Sequence, residues 1–430
     1  MKIRRGVRGR FSQSRPVPPS NEGIRILIVT QYYPPENALV PYDIAVGLSA
    51  LGHSVSVITG FPNYPHGRIF EGYRRRFRHE EWADGIRVRR VPHVVSHSRN
   101  PIGRIASYVS FGLSTLAGSS QAYRADVVYV YATQMTAAIA PMYWWSRRGI
   151  PYVLHIQDLW PESITGSSMI PGGSFVSRAV EAVLGPWLTR AYRRAAAVVA
   201  ISPTMKDILV ARGTAQRSAH TVLNWALDAP ESEEGPRRIA GTTETLNILY
   251  AGTVGGMQGL DTVIEAAALL EERSNIRIDV VGDGPALSSL RLLVEKLGVE
   301  TIRFHGRIPK SQVRPFYERA DFQLVTLRDV DIARGTIPSK FQSSMAWGIP
   351  ILTNIAGDVA TLVGANGLGL VAEPGSARDL AMIFEQAGKL SATQRRRMSA
   401  NCTRVYEQTM QKTYGVGEIA RILVDASVRN

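Results

Sequence analysis

ILYAGTVGGMQGLDTVIEAAALL (248–270) and IRIDVVGDGPALSSLRLLVEKLG (276–298) repeat one pattern: a short β-branched run, a glycine-centred turn, then a helix-like stretch. In the first copy Ile248–Tyr250 reads as strand, the loop passes through Gly252, Gly255, Gly256 and Gly259, and Val263, Ala266, Ala267 and Leu270 recur at helical spacing. In the second, Pro285 suits the first helical position and Gly298 the place just past the last turn. A third glycine turn, RGTIPS, opens into KFQSSMAWG at Lys340. A buried parallel strand that ends in glycine and turns into a helix aims backbone N–H groups and a helix dipole at one point, which suits a diphosphate. A lysine in the first turn of a helix is electrostatically misplaced unless an anion sits there, so Lys340 is the leading charge-neutralising candidate.

Working outward, strand-like runs recur at Ile26–Thr30, Val55–Thr59, Val127–Tyr131, Tyr152–Ile156 and Val198–Ile201, with helix-length segments between several of them. A second set starts at Leu246 and continues through Ile276–Val281, Ile302–His305, Phe322–Thr326 and Ile349–Thr353. This alternation predicts an α/β chain with two Rossmann-like, doubly wound domains facing each other across a cleft. The predicted division is a basic disordered arm over 1–23, a first domain over 24–227, a linker rich in Pro, Gly and Thr over 228–245, and a second domain over 246–405. Residues 406–430 form a terminal helical segment.

With 430 residues the chain exceeds what one core usually organises. One cysteine, Cys402, excludes a disulfide framework or a cysteine-based zinc site and points to a reducing compartment. No window of ~18 apolar residues runs uninterrupted. The basic N-terminus is followed by no apolar segment of the secretory kind.

The net charge of +14 lies wholly in the N-terminal half, where residues 1–229 carry 27 Lys and Arg against 13 Asp and Glu. Its clusters are Arg74, Arg75, Arg76 and Arg78; Arg87, Arg89 and Arg90; Arg147 and Arg148; and Arg193 and Arg194. No nucleic-acid motif interleaves them with aromatics, so nucleic acid is not the expected partner. Segments 101–120 and 141–149 mix aromatics and arginines in the manner of interfacial helices, which favours an anionic membrane surface. A plain solvated basic face, or core helices, is the other reading.

LYAGTVGGMQGLDTVIEAA, VVGDGP, FHGRIP, YERADFQLVTL and IPSKFQSSMAWGIPIL stand in the order seen in retaining glycosyltransferases of family four, and the chain resembles the branch that builds bacterial surface polysaccharide. ILIVTQYYPPENA, GHSVSVITGFPNYPHG, IQDLWPES and AISPTMKDIL extend the resemblance from about Ile24 to about Gly375. It implies the GT-B fold, with the last helices crossing back to the first domain. It also implies a metal-free transferase moving a sugar from a nucleotide-diphosphate donor, a UDP-N-acetyl-aminosugar by preference, onto a lipid-linked glycan. The enzyme would then work in the cytoplasm, peripheral on the inner face of the plasma membrane. A catalytically inactive nucleotide-sugar-binding scaffold and a UDP-sugar 2-epimerase are the alternatives.

The resemblance also implies site residues. Gly252, Gly255, Gly256 and Gln258 would line the diphosphate loop, with Arg334 or Arg307 adding charge. The base would dock near Gly282, Asp283, His305 and Arg307. Two family glutamates are missing, since Gly335 and Ser343 stand at their places, and ribose contact would pass to Ser343 or Ser344. From the first domain, Asn37 and Ala38 would present N–H groups to the phosphate or anomeric centre, although YYPPENA lacks the family's glycines. Asp158 and Glu162, in QDLWPES, would contact acceptor or donor sugar, whereas His155 would point to the core.

Overall fold

The computed structural model describes residues 23–76, 79–96, 101–165, 175–230, 245–270 and 275–428. The basic arm, Arg78 and most of the linker lie outside the described residues.

The first sheet contains β1 (Arg25–Val29), β2 (Ser54–Gly60), β3 (His79–Ala83), β4 (Ile86–Val91), β5 (Val127–Ala132), β6 (Tyr152–Ile156), β7 (Ala197–Ala200) and β8 (Ala219–Thr221). Their order is β3-β4-β2-β1-β5-β6-β7-β8, parallel throughout except for β3. VVYVYA and YVLHI are buried at every position because helices cover both faces of a parallel sheet. The second sheet contains β9 (Leu246–Ala251), β10 (Ile276–Val281), β11 (Ile302–Gly306), β12 (Phe322–Val325), β13 (Ile351–Thr353) and β14 (Gly369–Val371). It is wholly parallel in the order β11-β10-β9-β12-β13-β14.

Strand order reverses between β1 and β5 in the first sheet and between β9 and β12 in the second. Loops leaving neighbouring strands diverge at such a switch point, opening a crevice beyond the carboxyl ends. Those two crevices are where the fold can hold ligands.

The helix Ala392–Thr409 runs through the boundary expected at 405 and packs Cys402, Val405 and Tyr406 into the second domain. The next helix, Lys412–Val428, lays Val416, Ile419, Ile422 and Leu423 against Ile26, Ile44 and Tyr129 of the first. The division therefore falls near Gln411, where one helix stops and the chain changes partner.

The arginine clusters differ in character. Arg89 and Arg90 are buried, and Arg87 pairs with Glu80, so this group is no solvated basic face. Arg90 donates to Pro34 O, Gly60 O and Glu81, a satisfied buried guanidinium. Arg74, Arg75 and Arg76 are exposed. Trp144 lies in the core and donates to Ser119 Oγ at 2.9 Å, whereas Arg147 and Arg148 lie over Tyr143 and Tyr123. The helix Pro101–Ser114 leaves Ile105, Val109 and Leu113 exposed, an apolar line at four-residue spacing.

Candidate active site

At the second switch point the three glycine turns converge. Gly252 N–H donates to Val281 O at 2.9 Å, Gly282 N–H to Gly306 O at 2.9 Å, and Val254 N–H to Asp283 O at 3.0 Å. A Cβ at Gly282 would lie 1.8 Å from Gly252 O, and one at Gly252 would lie 2.8 Å from Lys340 Cε. Gly252 (φ +146°) and Gly282 (φ +148°) are needed for this contact between turns, before any ligand arrives.

Lys340 is the second residue of the helix Ser339–Ala346, and its Nζ lies 4.7 Å from the centroid of the buried Tyr250 ring. Among the described residues no carboxylate pairs with it, and burial pushes its ammonium down to about 8. A cation so placed, at the positive end of a helix, is primed for an anion that would offset the desolvation.

Other expected contacts are engaged elsewhere. Gly255 N–H donates to Gln258 Oε1 at 3.0 Å, so the amide closes the loop and that N–H does not face the crevice. Gly256 is exposed with open space around it. The exposed Asp283 carboxylate accepts from Gly284 N–H at 2.8 Å. The following helix starts only at Leu287, so Pro285 precedes it rather than occupying its first turn, whereas Gly298 does end it in the left-handed region.

His305 Nε2 lies 2.7 Å from Oδ1 of the buried Asp279, its ring edge-on to Phe316. Arg277 and Arg319 share that carboxylate, so His305 belongs to an ionic cluster on the sheet face and not to the loop beyond. Arg307, exposed just past Gly306 (φ +68°), is the side chain left at that edge.

Ser344 is fully buried and donates to Ile349 O at 2.7 Å, closing its own helix end, which removes it from the ribose contacts. Ser343 Oγ donates to Asp228 Oδ1 at 2.5 Å, Tyr317 Oη to Asp228 Oδ2 at 2.8 Å, and Trp347 Nε1 to the Asp228 carbonyl at 2.8 Å. A carboxylate from the start of the linker thus stands beside position 343. Sequence spacing, which separates the two by more than a hundred residues, carries no sign of it.

At the first switch point a cavity of about 270 Å³ is lined by Tyr32, Asn37, Ala38, Tyr64, Tyr131 and Leu227, among others. Asn37 is exposed there, but Ala38 N–H donates to Glu36 O at 2.7 Å and does not face the cavity as a free donor. Glu36, absent from the sequence expectations, is buried. Its carboxylate accepts from Asn63 N–H at 2.7 Å, Tyr64 N–H at 2.8 Å and Tyr33 N–H at 3.4 Å. Burial pushes its pKa up and these bonds oppose that shift. The loop is therefore held by Glu36 from one side and Arg90 from the other, where a glycine-rich loop would depend on backbone freedom.

Asp158 follows β6, open to solvent yet closely surrounded by protein, and burial raises its carboxyl above the usual range. Its charge also raises the neighbouring Tyr131 phenol, after burial, which places it beside the cavity wall. Glu162 forms a two-pronged ion pair with Arg212, which also donates to Trp160 O at 2.7 Å. Glu162, first residue of the short helix Glu162–Thr165, is thereby a strut to the end of the helix Pro203–Ala211 rather than a free contact for a sugar. His155 is buried as expected, bonded to Tyr129 Oη, with burial pushing its pKa down to about 3.

The family model for a glycosyl transferase 4-like domain matches residues 38–225, and that for glycosyl transferases group 1 matches residues 233–405. The chain belongs to glycosyltransferase family four. This glycosyltransferase is 25% identical over 343 residues to WcaI of Escherichia coli (strain K12), named as a colanic acid biosynthesis glycosyl transferase, covering 76% of the chain and 82% of that protein. Its fold is that of Anabaena HepE, solved with UDP and glucose, with a TM-score of 0.65 at 17% identity over 93% of this chain and 99% of that one. WaaG, a glycosyltransferase involved in lipopolysaccharide biosynthesis, superposes with a TM-score of 0.62 at 19% identity, covering 93% and 99%. Both are GT-B structures, and the two parallel-sheet domains found here are that fold.

Proposed function

We propose that the glycosyltransferase moves a sugar, an N-acetylated aminosugar from a UDP donor, onto a lipid-linked glycan in cell-surface polysaccharide synthesis, with retention of anomeric configuration. The desolvated ammonium of Lys340, with no carboxylate partner among the described residues, stands where three glycine turns meet and carries this reading. It supplies the positive charge that a departing diphosphate needs, aided by the dipole of its helix. The bond from the anomeric carbon to the diphosphate breaks, the bond to the acceptor oxygen forms, and the acceptor proton passes to the leaving phosphate. No protein base or metal is invoked. Asp228 with Ser343 would take the ribose hydroxyls.

The cavity at the first switch point, beside Asp158, would take the acceptor sugar: its tyrosines offer ring faces, and Asp158 can accept from a hydroxyl. Similarity to WcaI supports the polysaccharide context, and the UDP-bound HepE supports the donor class. The Ile105, Val109 and Leu113 line, on a helix that also carries Arg104, supports seating on an anionic membrane that presents the lipid carrier, on the cytoplasmic face.

The test is nucleotide release from a panel of UDP-, GDP- and dTDP-sugars, with and without membrane lipid extract. Lipid-dependent release from a UDP-aminosugar is expected. Tight UDP binding with no release from any donor would instead make the chain a binding scaffold, the reading favoured by the missing carboxylates at 335 and 343.

A further inference from the structure

The loop that leads into Lys340 is held from the other domain. Ser202 Oγ, in the first domain, donates to Gly335 O at 2.7 Å, while accepting from Met205 N–H at the start of its own helix. Two residues on, Thr204 gives both its N–H (3.0 Å) and its hydroxyl (2.9 Å) to the carboxylate of Asp358, the first residue of the helix Asp358–Asn366. Ser202 and Asp358 are both buried. On its second-domain side the same loop lies against Gly357, where a Cβ would come within 2.1 Å of Arg334 O. A Cβ added at Gly335 would lie 3.1 Å from Thr204 Cγ2, so glycine here brings the loop against the first domain.

We propose that the Ser202–Thr204 turn is a positioning element of the donor site, clasping the end of the 3₁₀ turn Asp331–Gly335 across the domain boundary and so setting Lys340 against Gly252. Only four residues separate Gly335 from Lys340, and Pro338 (φ −66°) stiffens them, so displacement of the carbonyl at 335 is carried to the lysine. Burying the Asp358 carboxylate is costly unless its partners are in place, which makes the contact either fully formed or open. The donor site, though built on the second domain, is therefore complete only when the first domain is seated. The inference rests on the reading of Lys340 as the diphosphate ligand. It concerns Ser202, Thr204 and Asp358, none of which touches the reacting atoms.

The test compares Thr204→Val, Thr204→Ser and Asp358→Ala with the full-length wild type in amide hydrogen exchange over 331–341, UDP affinity by calorimetry, and thermal midpoint. Thr204→Val and Asp358→Ala should exchange faster across that loop and bind UDP about fivefold more weakly. Thr204→Ser, which keeps the hydroxyl, should match the wild type. Loop exchange and UDP affinity unchanged in both disruptive variants would overturn the proposal, as would a lowered midpoint alone, since that reports a merely structural contact. A wild type that binds no UDP would defeat the diphosphate reading separately, while exchange over 331–341 would still decide whether the clasp holds the loop.

Discussion

Lys340 shows why single positions in this chain are unequal guides. Its place was legible, because a lysine in a first helical turn after a glycine loop conflicts with the helix dipole unless an anion is bound. Gln258, Ser344 and Glu162 were not legible in the same way: each finds a partner, Gly255 N–H, Ile349 O or Arg212, that removes it from the crevice. Asp228 and Glu36 were missed for the converse reason, since the groups they hold come from distant segments. Lys340→Ala should lower the rate of nucleotide-sugar turnover by roughly 10²- to 10³-fold, the scale for losing one transition-state charge contact. Steady-state nucleotide release checks this. Glu36→Gln should lower the acceptor-dependent rate more than UDP affinity, because the loop it orders lines the first cavity and not the glycine turns. Equal losses in both would contradict that separation.

Among elements, strands and glycine turns were readable from periodicity, since fully buried parallel strands are short β-branched runs bounded by glycine. What each glycine does was less readable: Gly252 and Gly282 are required by the turn-to-turn contact itself, whatever ligand the turns go on to hold. Gly252→Ala should therefore weaken UDP binding by displacing Lys340, measurable by calorimetry alongside a lowered thermal midpoint. The segments expected at a membrane divide similarly. Trp144 belongs to the core, whereas Ile105, Val109 and Leu113 form the exposed line. Replacing those three by Ser should reduce sedimentation with anionic vesicles and leave UDP affinity unchanged. Unchanged sedimentation would assign the line to some other contact.

For the whole molecule, two doubly wound sheets followed from the alternation of strand and helix patterns, but their mutual arrangement did not. Nothing local in Lys412–Val428 says that it leaves the second domain, because an amphipathic helix specifies a face to bury and not which sheet buries it. Val416, Ile419, Ile422 and Leu423 each stabilise the first domain by roughly 1.5–3 kcal/mol of apolar burial, so deleting 412–428 should destabilise that domain and cause aggregation on expression. A soluble, cooperatively melting truncation would contradict that assignment.

The central claim, that Lys340 holds the diphosphate at the meeting of the glycine turns, is tested most directly by calorimetric titration of UDP into wild type and Lys340→Ala at pH 7 and pH 9. The free-enzyme ammonium, held at about 8 by burial, is charged at the lower pH and mostly neutral at the higher. Wild-type affinity should fall between the two values, and the variant should bind weakly at both with little pH dependence beyond that of UDP itself. Equal affinities for wild type and variant at pH 7 would contradict the account.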